Sequence, residues 1–164
     1  MSKYPQSRGI QVLTVSRIVS ETNGVEPFRV VILDSSVTPS NVSPMLKVKY
    51  PAIAISNGER VEGITLGPVN TLSGSLAVCA ANKEVNVVTI GECMVECDTG
   101  VDSTNILVGD LVAHSAVSGQ NGCIAKAGLT NNYPTAGQHI VGRALGKATV
   151  EGQYILVHIA IQEV

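Results

Sequence analysis

The chain repeats one glycine-marked phrase. Residues 60–67 (RVEGITLG) align with residues 139–146 (HIVGRALG) at an offset of 79 (139 minus 60), with two glycines and a leucine in step. A chance match of short Val- and Gly-rich strings is the alternative explanation. Two copies are too few for a solenoid, which needs about three units to bury its core, so the repeat predicts one closed or sandwiched β-domain. Two further pairs of segments keep the same order: 85–90 with 154–159 and, at an offset of 80 (110 minus 30), 30–35 with 110–115.

The size and composition indicate one domain with a surface poor in charge. A chain of 164 residues buries roughly 70% of its unfolded surface, which is enough for a self-standing core. Only 15% of its residues are charged, against about 25% in ordinary soluble domains. Ser, Thr, Asn, Gly and small apolar groups must therefore cover much of the surface. Such a surface suits contact with a partner, although many β-proteins are equally poor in charge.

The charge and aromatic content disfavour nucleic acid and membrane partners. The net charge is -2, and the 11 Lys and Arg residues are scattered without forming a basic stripe. Aromatic residues make up 3% of the chain and Trp is absent, so no stacking platform for bases or sugars is predicted. No run of about 18 apolar residues could span a bilayer, and the first nine residues lack the apolar core of a secretion signal. We therefore expect synthesis in the cytoplasm, with Cys79, Cys93, Cys97 and Cys123 as reduced thiols.

The apolar pattern predicts an extended arm followed by one β-domain. Residues 1–9 are polar and aperiodic and are expected to form a flexible N-terminal arm, whereas residues 10–164 form a single β-domain. Residues 35–51 are rich in Ser, Pro and Asn and predict a long excursion from it. Val-rich segments bounded by turn residues predict strands at 10–19, 28–33, 45–50, 52–56, 61–66, 85–90, 92–97, 110–114, 122–126, 140–145 and 154–162. This spacing is typical of an all-β barrel, β-tulip-like or sandwich domain.

Three segments carry more specific predictions. The first strand, 10–19, is apolar on most of both faces. Residues 76–82 form the only segment whose Ala and Leu content could support a turn or two of helix. In the last strand the all-aliphatic alternate set is predicted to face the core: Ile155, Val157, Ile159 and Ile161.

The cysteine and acidic clusters do not match a metal site. Cys93 and Cys97 have a three-residue spacer, within the range of some zinc sites, but no second pair accompanies them. On a strand, residues four apart lie about 13 Å apart, too far to share one tetrahedral ion. Asp98 and Asp102 flank Gly100 but supply too few oxygen ligands for a hard cation. The sequence therefore predicts packed, reduced cysteines and neither a metal nor a cofactor.

No catalytic constellation is predicted either. Asp110, His114 and Ser115 are the residue types of a hydrolytic triad. Adjacent residues on a strand face opposite sides, however, so His114 cannot readily activate Ser115. Residues 142–147 lack the spacing and the following helix of a phosphate-binding loop. We therefore expect the chain not to be an enzyme.

The phrases of the second half, taken in order, resemble the signature of tailed-bacteriophage capsid decoration, or cement, proteins. In that family a G-D-L-V strand, a G-x-I-x-x-A hairpin, a V-G-x-A-L phrase and a final E-G-x-x-I-x-V strand follow one another. The family's earlier V-x-G-x-T and V-x-V-x-x-x-G elements resemble residues 60–65 and 85–91, so the likeness spans about 30–159. The chain departs from the pattern in two longer insertions, 35–51 and 68–75. The four later phrases lie at 109–112, 122–127, 140–148 and 151–159.

The resemblance implies a small β-domain, typically trimeric, on the outer surface of the mature phage head. There such a protein clamps neighbouring copies of the major capsid protein against the pressure of the packaged DNA. A β-domain with a flexible arm can bind by strand addition, and symmetric copies raise the affinity through avidity. We therefore expect a homotrimer, made in the host cytoplasm, that binds the capsid through its arm. The expected capsid-binding residues are Lys3, Tyr4, Gln6 and Arg8.

Two other functions stay open at this point. A head-fibre or receptor-binding module of a virion needs a fibre-like repeat or an aromatic ligand patch, and only the 35–51 excursion could supply a loop of that kind. A small enzyme or ligand-binding barrel would show turnover or a tight small-molecule ligand, which no motif indicates. Copy number separates cement from fibre, because cement covers the shell in hundreds of copies and fibres occupy a few vertices or the tail.

Overall fold

The protein is all-β in the part of the chain that the structure describes. The computed structural model describes residues 12–36, 45–51, 60–68, 78–98, 105–115, 121–130, 133–134, 139–150 and 152–163, and none of these is helical. Accordingly, no helix of this part is long and apolar enough to cross a membrane. The strands are β1 (Leu13–Val19), β2 (Val30–Leu33), β3 (Lys47–Lys49), β4 (Val61–Pro68), β5 (Glu84–Glu96), β6 (Leu111–His114), β7 (Ile124–Lys126), β8 (Leu129–Thr130), β9 (Tyr133–Pro134), β10 (His139–Ala144) and β11 (Tyr154–Glu163).

Five strands close into a barrel, here called the first ring. β1 pairs parallel with β3 and antiparallel with β5, and the other neighbours follow in the order β3-β2-β4-β5. Closing the sheet on itself pairs strands that would otherwise be free edges. The inward side chains are mostly valines that form one buried cluster: Val19, Val25, Val31, Val48, Cys79, Val85 and Val87. The predicted barrel is therefore confirmed.

The second half of β5 begins another ring of the same design, here called the second ring. From Gly91 to Glu96, β5 pairs antiparallel with β11, and the order continues β11-β10-β6-β7. A parallel bridge between Cys97 and Ile124 joins β7 back to the end of β5. The long strand β5 thus serves as the last strand of the first ring and the first strand of the second. Strands β8 and β9 form a separate two-stranded sheet.

The strand register relates the two rings pair by pair. Ile64 pairs with Val88 in the first ring. Arg143, 79 residues after Ile64 (143 minus 64), pairs with His158 in the second ring. In the same way, the strand pair β2–β3 of the first ring corresponds to the pair β6–β7 of the second ring. Strand β1 of the first ring corresponds to the second half of β5 in the second ring. The hydrogen-bond ladder therefore supports the internal duplication that the repeated phrase predicts.

Two of the predicted alignments were wrong by one residue. Val30 pairs with Ile64 and Leu111 with Arg143, so β2 and β6 correspond at an offset of 81 (111 minus 30) rather than 80. The β-rich segments that follow the two copies of the phrase, 85–90 and 154–159, correspond at an offset of 70 (158 minus 88) rather than 69. These strands are rich in Val and lack glycine at the matched positions, so their sequences carry no mark that fixes the register.

The repeated glycine is required by close packing of the backbone. A Cβ atom on Gly63 would lie 2.1 Å from the carbonyl oxygen of Val88. A Cβ atom on Gly142 would lie 2.0 Å from the carbonyl oxygen of His158. Glycine inside a strand often marks such a close approach of another backbone. The same residue therefore recurs in both rings for the same physical reason.

The bulges next to these glycines show where the rings differ. Glu62 is the extra residue of β4, and its Oε1 lies 2.7 Å from Nε of Arg17 on β1. The equivalent positions of the second ring hold Val141 and Val95, both fully buried. A partly buried ion pair thus occupies in the first ring the place of two core valines in the second.

A second hydrophobic cluster contains residues of both rings. Val30 and Ile32 face out of the first ring and join Val112 and Val157 of the second ring in a single buried cluster. Val31, between them on β2, faces into the first ring instead. β2 is therefore buried on both faces, as its unbroken apolar run requires.

Three predictions about individual segments were wrong. The strands expected at 85–90 and 92–97 are one strand, because the ladder continues through Gly91 from one ring into the other. The helix expected at 76–82 is absent from its described part, residues 78–82, which form a bridge between Cys79 and Val25 followed by a turn. β1 is exposed or half-buried over most of its length rather than apolar on both faces.

The predicted register of the last strand is confirmed. Ile155, Val157 and Ile159 are buried, and Ile161 packs against the core from a partly buried position. The arm at 1–9, the strand expected at 52–56 and residues 37–44 of the excursion lie outside the described residues.

Candidate functional site

The residues predicted to bind the capsid lie outside the described part of the chain. Lys3, Tyr4, Gln6 and Arg8 precede Val12, where the description begins. The prediction about them therefore stays a prediction. The surfaces that can be built from the described residues are the outer face of the second ring and the junction between the two rings.

On the outer face of the second ring, two neighbouring rows of side chains cross β10, β11 and β5. In the polar row, Arg143 pairs with His158, and His158 pairs with Glu92. Directly paired residues of an antiparallel ladder point to the same side of the sheet. These three side chains therefore form a line that runs from a cation through an imidazole to an anion.

The apolar row lies next to the polar row. Leu156 pairs with Met94, and the backbone N–H of Leu145, just past the end of β10, donates to the Leu156 carbonyl oxygen at 2.8 Å. Their exposures are 38% for Leu145 and 37% for both Leu156 and Met94. Three large apolar side chains therefore stand side by side in contact with solvent, where scattered single ones are the ordinary case.

The first ring has a polar version of the same row. The positions equivalent to Met94 and Leu156 are Ser16 and Asn86, whose side chains hydrogen-bond to each other at 3.3 Å. The third position holds Leu66, which like Leu145 is exposed. Because the same backbone accepts Ser and Asn in one ring, folding of the ring does not require Met and Leu in the other.

A charged cluster around Arg29 joins the two rings. Its Nη2 lies 2.8 Å from Oε2 of Glu26 and of Glu96, and its Nη1 contacts Cys123 Sγ. Tyr154 Oη donates to Glu96 Oε2 at 2.6 Å. Burial alone would lower the pKa of Arg29, but the interactions with Cys123, Glu96 and Glu26 outweigh it, and the net pKa is raised. The cluster therefore holds a permanent cation between carboxylates from both rings.

A pocket of about 270 Å³ opens beside this cluster. The backbone N–H of Glu26 donates to Tyr50 Oη at 2.6 Å, and burial raises the pKa of Tyr50 to about 12, so its phenol is protonated at neutral pH. The charged groups Glu26 and Arg29 already pair with each other. The pocket is therefore a cleft between packed turns. Its lining consists of Asn23, Gly24, Glu26, Arg29, Tyr50, Val78 and Asn121.

The four cysteines are buried, and none of them forms a disulfide with another described residue. Burial raises the pKa of Cys93, Cys97 and Cys123 to about 12 and also raises the pKa of Cys79. Thiols in this state are protonated at neutral pH and are neither good nucleophiles nor metal ligands. Within the described ranges, no group of three or more His, Cys, Asp or Glu residues is placed to hold a metal ion.

The residues of the hydrolytic triad pattern have other hydrogen-bond partners. Ser115 Oγ donates to Asp98 Oδ2 at 2.5 Å. Asp110 Oδ2 accepts from the Leu107 N–H at 2.8 Å. Burial, with a smaller effect of His139, lowers the pKa of His114 to about 4, so its imidazole is neutral at pH 7. The structure does not assemble the three side chains into a triad.

The acidic pair Asp98 and Asp102, which the sequence did not favour as a cation site, is only partly described. Asp98 is almost completely buried and accepts the Ser115 hydroxyl, whereas Asp102 and Gly100 lie outside the described residues. In the equivalent place of the first ring the two residue types are exchanged. There Ser36 and Ser20 hydrogen-bond to the Asp34 carboxylate and hold its pKa below the usual value, although burial acts in the opposite direction.

Sequence reasoning missed the outer face of the second ring and the Arg29 cluster. The alternation of β11 did place Leu156 and His158 outward, so an outward leucine was an available signal. The alignment of Leu156 with Met94 and Leu145 depends on long-range pairing that no local pattern reveals. The Arg29 cluster was missed for the same reason, because Glu96 and Cys123, which contact Arg29, come from the other ring.

The comparisons with known proteins give a weak structural likeness. The chain matches no model of a known protein family and no curated protein sequence. Among solved structures it is similar to the head fiber gp8.5 N base in bacteriophage phi29. The identity is 14% and the TM-score 0.46, over 94% of this chain and 98% of that chain. A likeness of this size carries no argument about function.

Proposed function

We propose that the chain is a structural protein of a phage virion that binds the outer surface of the mature capsid and cements neighbouring coat subunits. The observation that carries the proposal is where the cement-protein phrases fall. The four later phrases, at 109–112, 122–127, 140–148 and 151–159, overlap β6, β7, β10 and β11 in turn. These four strands are consecutive neighbours of the second ring. The four later phrases thus belong to one structural unit.

The described surfaces suit adhesion to a protein lattice. The low content of charged residues, 15%, reduces the desolvation cost of covering the surface.

Co-sedimentation with phage heads tests the proposal. The purified chain is mixed with mature heads that lack it and with unexpanded precursor heads, and the pelleted amount is measured against concentration. We expect saturable binding of hundreds of copies to mature heads, together with slower loss of DNA on heating. A full-length, folded chain that fails to pellet with mature heads would contradict the proposal.

The arm is tested separately on the same heads. Replacing Lys3, Tyr4, Gln6 and Arg8 together by Ala is expected to weaken binding at least about tenfold, because the side chains that anchor the added strand are lost. The matched control replaces Ser2 and Ser7 of the same arm by Ala and should bind as the parent does. Unchanged binding of the fourfold variant rejects the arm as the anchor while leaving the cement function in place.

A further inference from the structure

We infer that the outer face of the second ring is a self-complementary contact through which two copies of this chain associate about a two-fold axis. The face consists of the polar row Arg143, His158 and Glu92 and the apolar row Leu145, Leu156 and Met94. The inference does not rest on the capsid-binding function, and its tests use the purified chain alone.

Two of the three side chains of the apolar row, Met94 and Leu156, are not needed by the fold. Ser16 and Asn86 occupy the same backbone positions in the first ring as Met94 and Leu156 do in the second. Only 15% of the residues are charged, so uncharged polar residues must cover many exposed strand positions. In the first ring these positions hold Ser16 and Asn86. The exposed Met94 and Leu156 of the second ring are therefore available to a partner that covers them.

The charged residues of the polar row lie on the two strands that flank β11. Arg143 lies on β10, His158 on β11 between them, and Glu92 on β5. Rotating a second copy by 180° about a line parallel to β11 places its face against the first with β10 opposite β5. Arg143 of each copy then lies over Glu92 of the other, and the two His158 side chains lie at the axis.

The same rotation matches the apolar row. Leu145 of one copy lies over Met94 of the other, and the two Leu156 side chains meet at the axis. Two sheets packed face to face with nearly aligned strands are an ordinary arrangement, with side chains of the inner faces interdigitating. One patch is thus complementary to itself in both charge and polarity, which is what an isologous two-fold contact requires.

A trimer makes a different demand on the surface. In a three-fold ring each contact is heterologous, so this face would meet another part of the neighbouring copy. Arg143 of one copy would then not lie opposite Glu92 of the next copy. The trimer implied by the family resemblance and the two-fold contact inferred here are therefore distinguishable outcomes.

The six side chains form the centre of a contact that has room to extend. Stable specific interfaces bury about 800 Å² per partner. Ile90, next in the outward series of β5 after Glu92, is 55% exposed, and its ladder partner Leu13 is 52% exposed. This second apolar pair continues the surface beyond the polar row.

Multi-angle light scattering and sedimentation equilibrium of the full chain test the inference. We expect a dimer, of twice 17.1 kDa, that dissociates on dilution. Met94→Ser with Leu156→Asn, which installs the residues of the first ring, should give a monomer. The matched control Leu66→Asn removes an equally exposed leucine from the equivalent position of the first ring and should leave the dimer intact.

Charge exchange provides a second test that does not depend on the apolar variant folding. Arg143→Glu or Glu92→Arg alone places like charges opposite each other twice per dimer and should weaken association at least about tenfold. The combined exchange should restore the dissociation constant to within about threefold. A monomeric parent, a trimer insensitive to these changes, or a combined exchange as weak as the single ones would overturn the inference.

Discussion

Replacing Glu62 by Val is predicted to destabilise the protein, whereas replacing Glu62 and Arg17 together by Val is not. The two side chains are only 14% and 20% exposed, so either charge left alone is poorly solvated. Breaking a fully buried ion pair costs about 3–5 kcal/mol, and the partial exposure here reduces the expected loss to roughly 2 kcal/mol. The double replacement reproduces Val141 and Val95 of the second ring, and exchanging an ion pair for packed aliphatic groups is often neutral or stabilising by about 1 kcal/mol or more.

The assay is urea-induced unfolding followed by far-ultraviolet circular dichroism, with the slope of the transition compared between variants. Each single variant, Arg17→Val or Glu62→Val, should lower the free energy of unfolding, and the double variant should equal or exceed the parent. Additive losses, roughly 4 kcal/mol in the double variant, would refute the structural equivalence of the two rings at these positions.

Three further predictions concern the packing of the rings. Gly63→Ala should cost at least about 3 kcal/mol because its Cβ would lie 2.1 Å from the Val88 carbonyl oxygen, whereas Gly146→Ala, whose nearest contact is 3.5 Å away, should change the urea midpoint little. Ser115→Ala should cost about 1–3 kcal/mol in the same assay, because the buried Asp98 carboxylate loses a hydroxyl donor, and an unchanged midpoint would show that this hydrogen bond contributes nothing. His114 has a native pKa of about 4 and an unfolded pKa of about 6.5, so only the unfolded state gains a proton as the pH falls between these values. The parent should then lose up to about 3 kcal/mol from pH 7 to pH 4, and a His114→Leu variant that loses stability equally would contradict this assignment.

The glycine-marked phrase was enough to predict the duplication and a closed or sandwiched β-domain. Its signal is strong because Gly63 and Gly142 are both required where two backbones approach closely, so the same residue is fixed twice. The core register of β11 was predictable for a similar reason. Its buried residues are all aliphatic, and a shift by one residue would bury His158 instead.

The sharing of β5 between two rings could not be predicted from the sequence. Gly91 is a residue type that often marks the end of a strand. β5 nevertheless continues through Gly91, since β1 pairs with one half of β5 and β11 with the other. The exposed face of the second ring was hidden for the same reason. Met94 and Leu145 become neighbours of Leu156 only after the second ring has formed, and local periodicity does not report which strands pair.

Cryo-electron microscopy of mature heads incubated with the purified chain tests the central claim most directly. We expect two-ring β-density in hundreds of copies over the outer shell, at positions that bridge neighbouring coat subunits. Bare shells at saturating concentration, or density confined to a few vertices or to the tail, would contradict the cementing role.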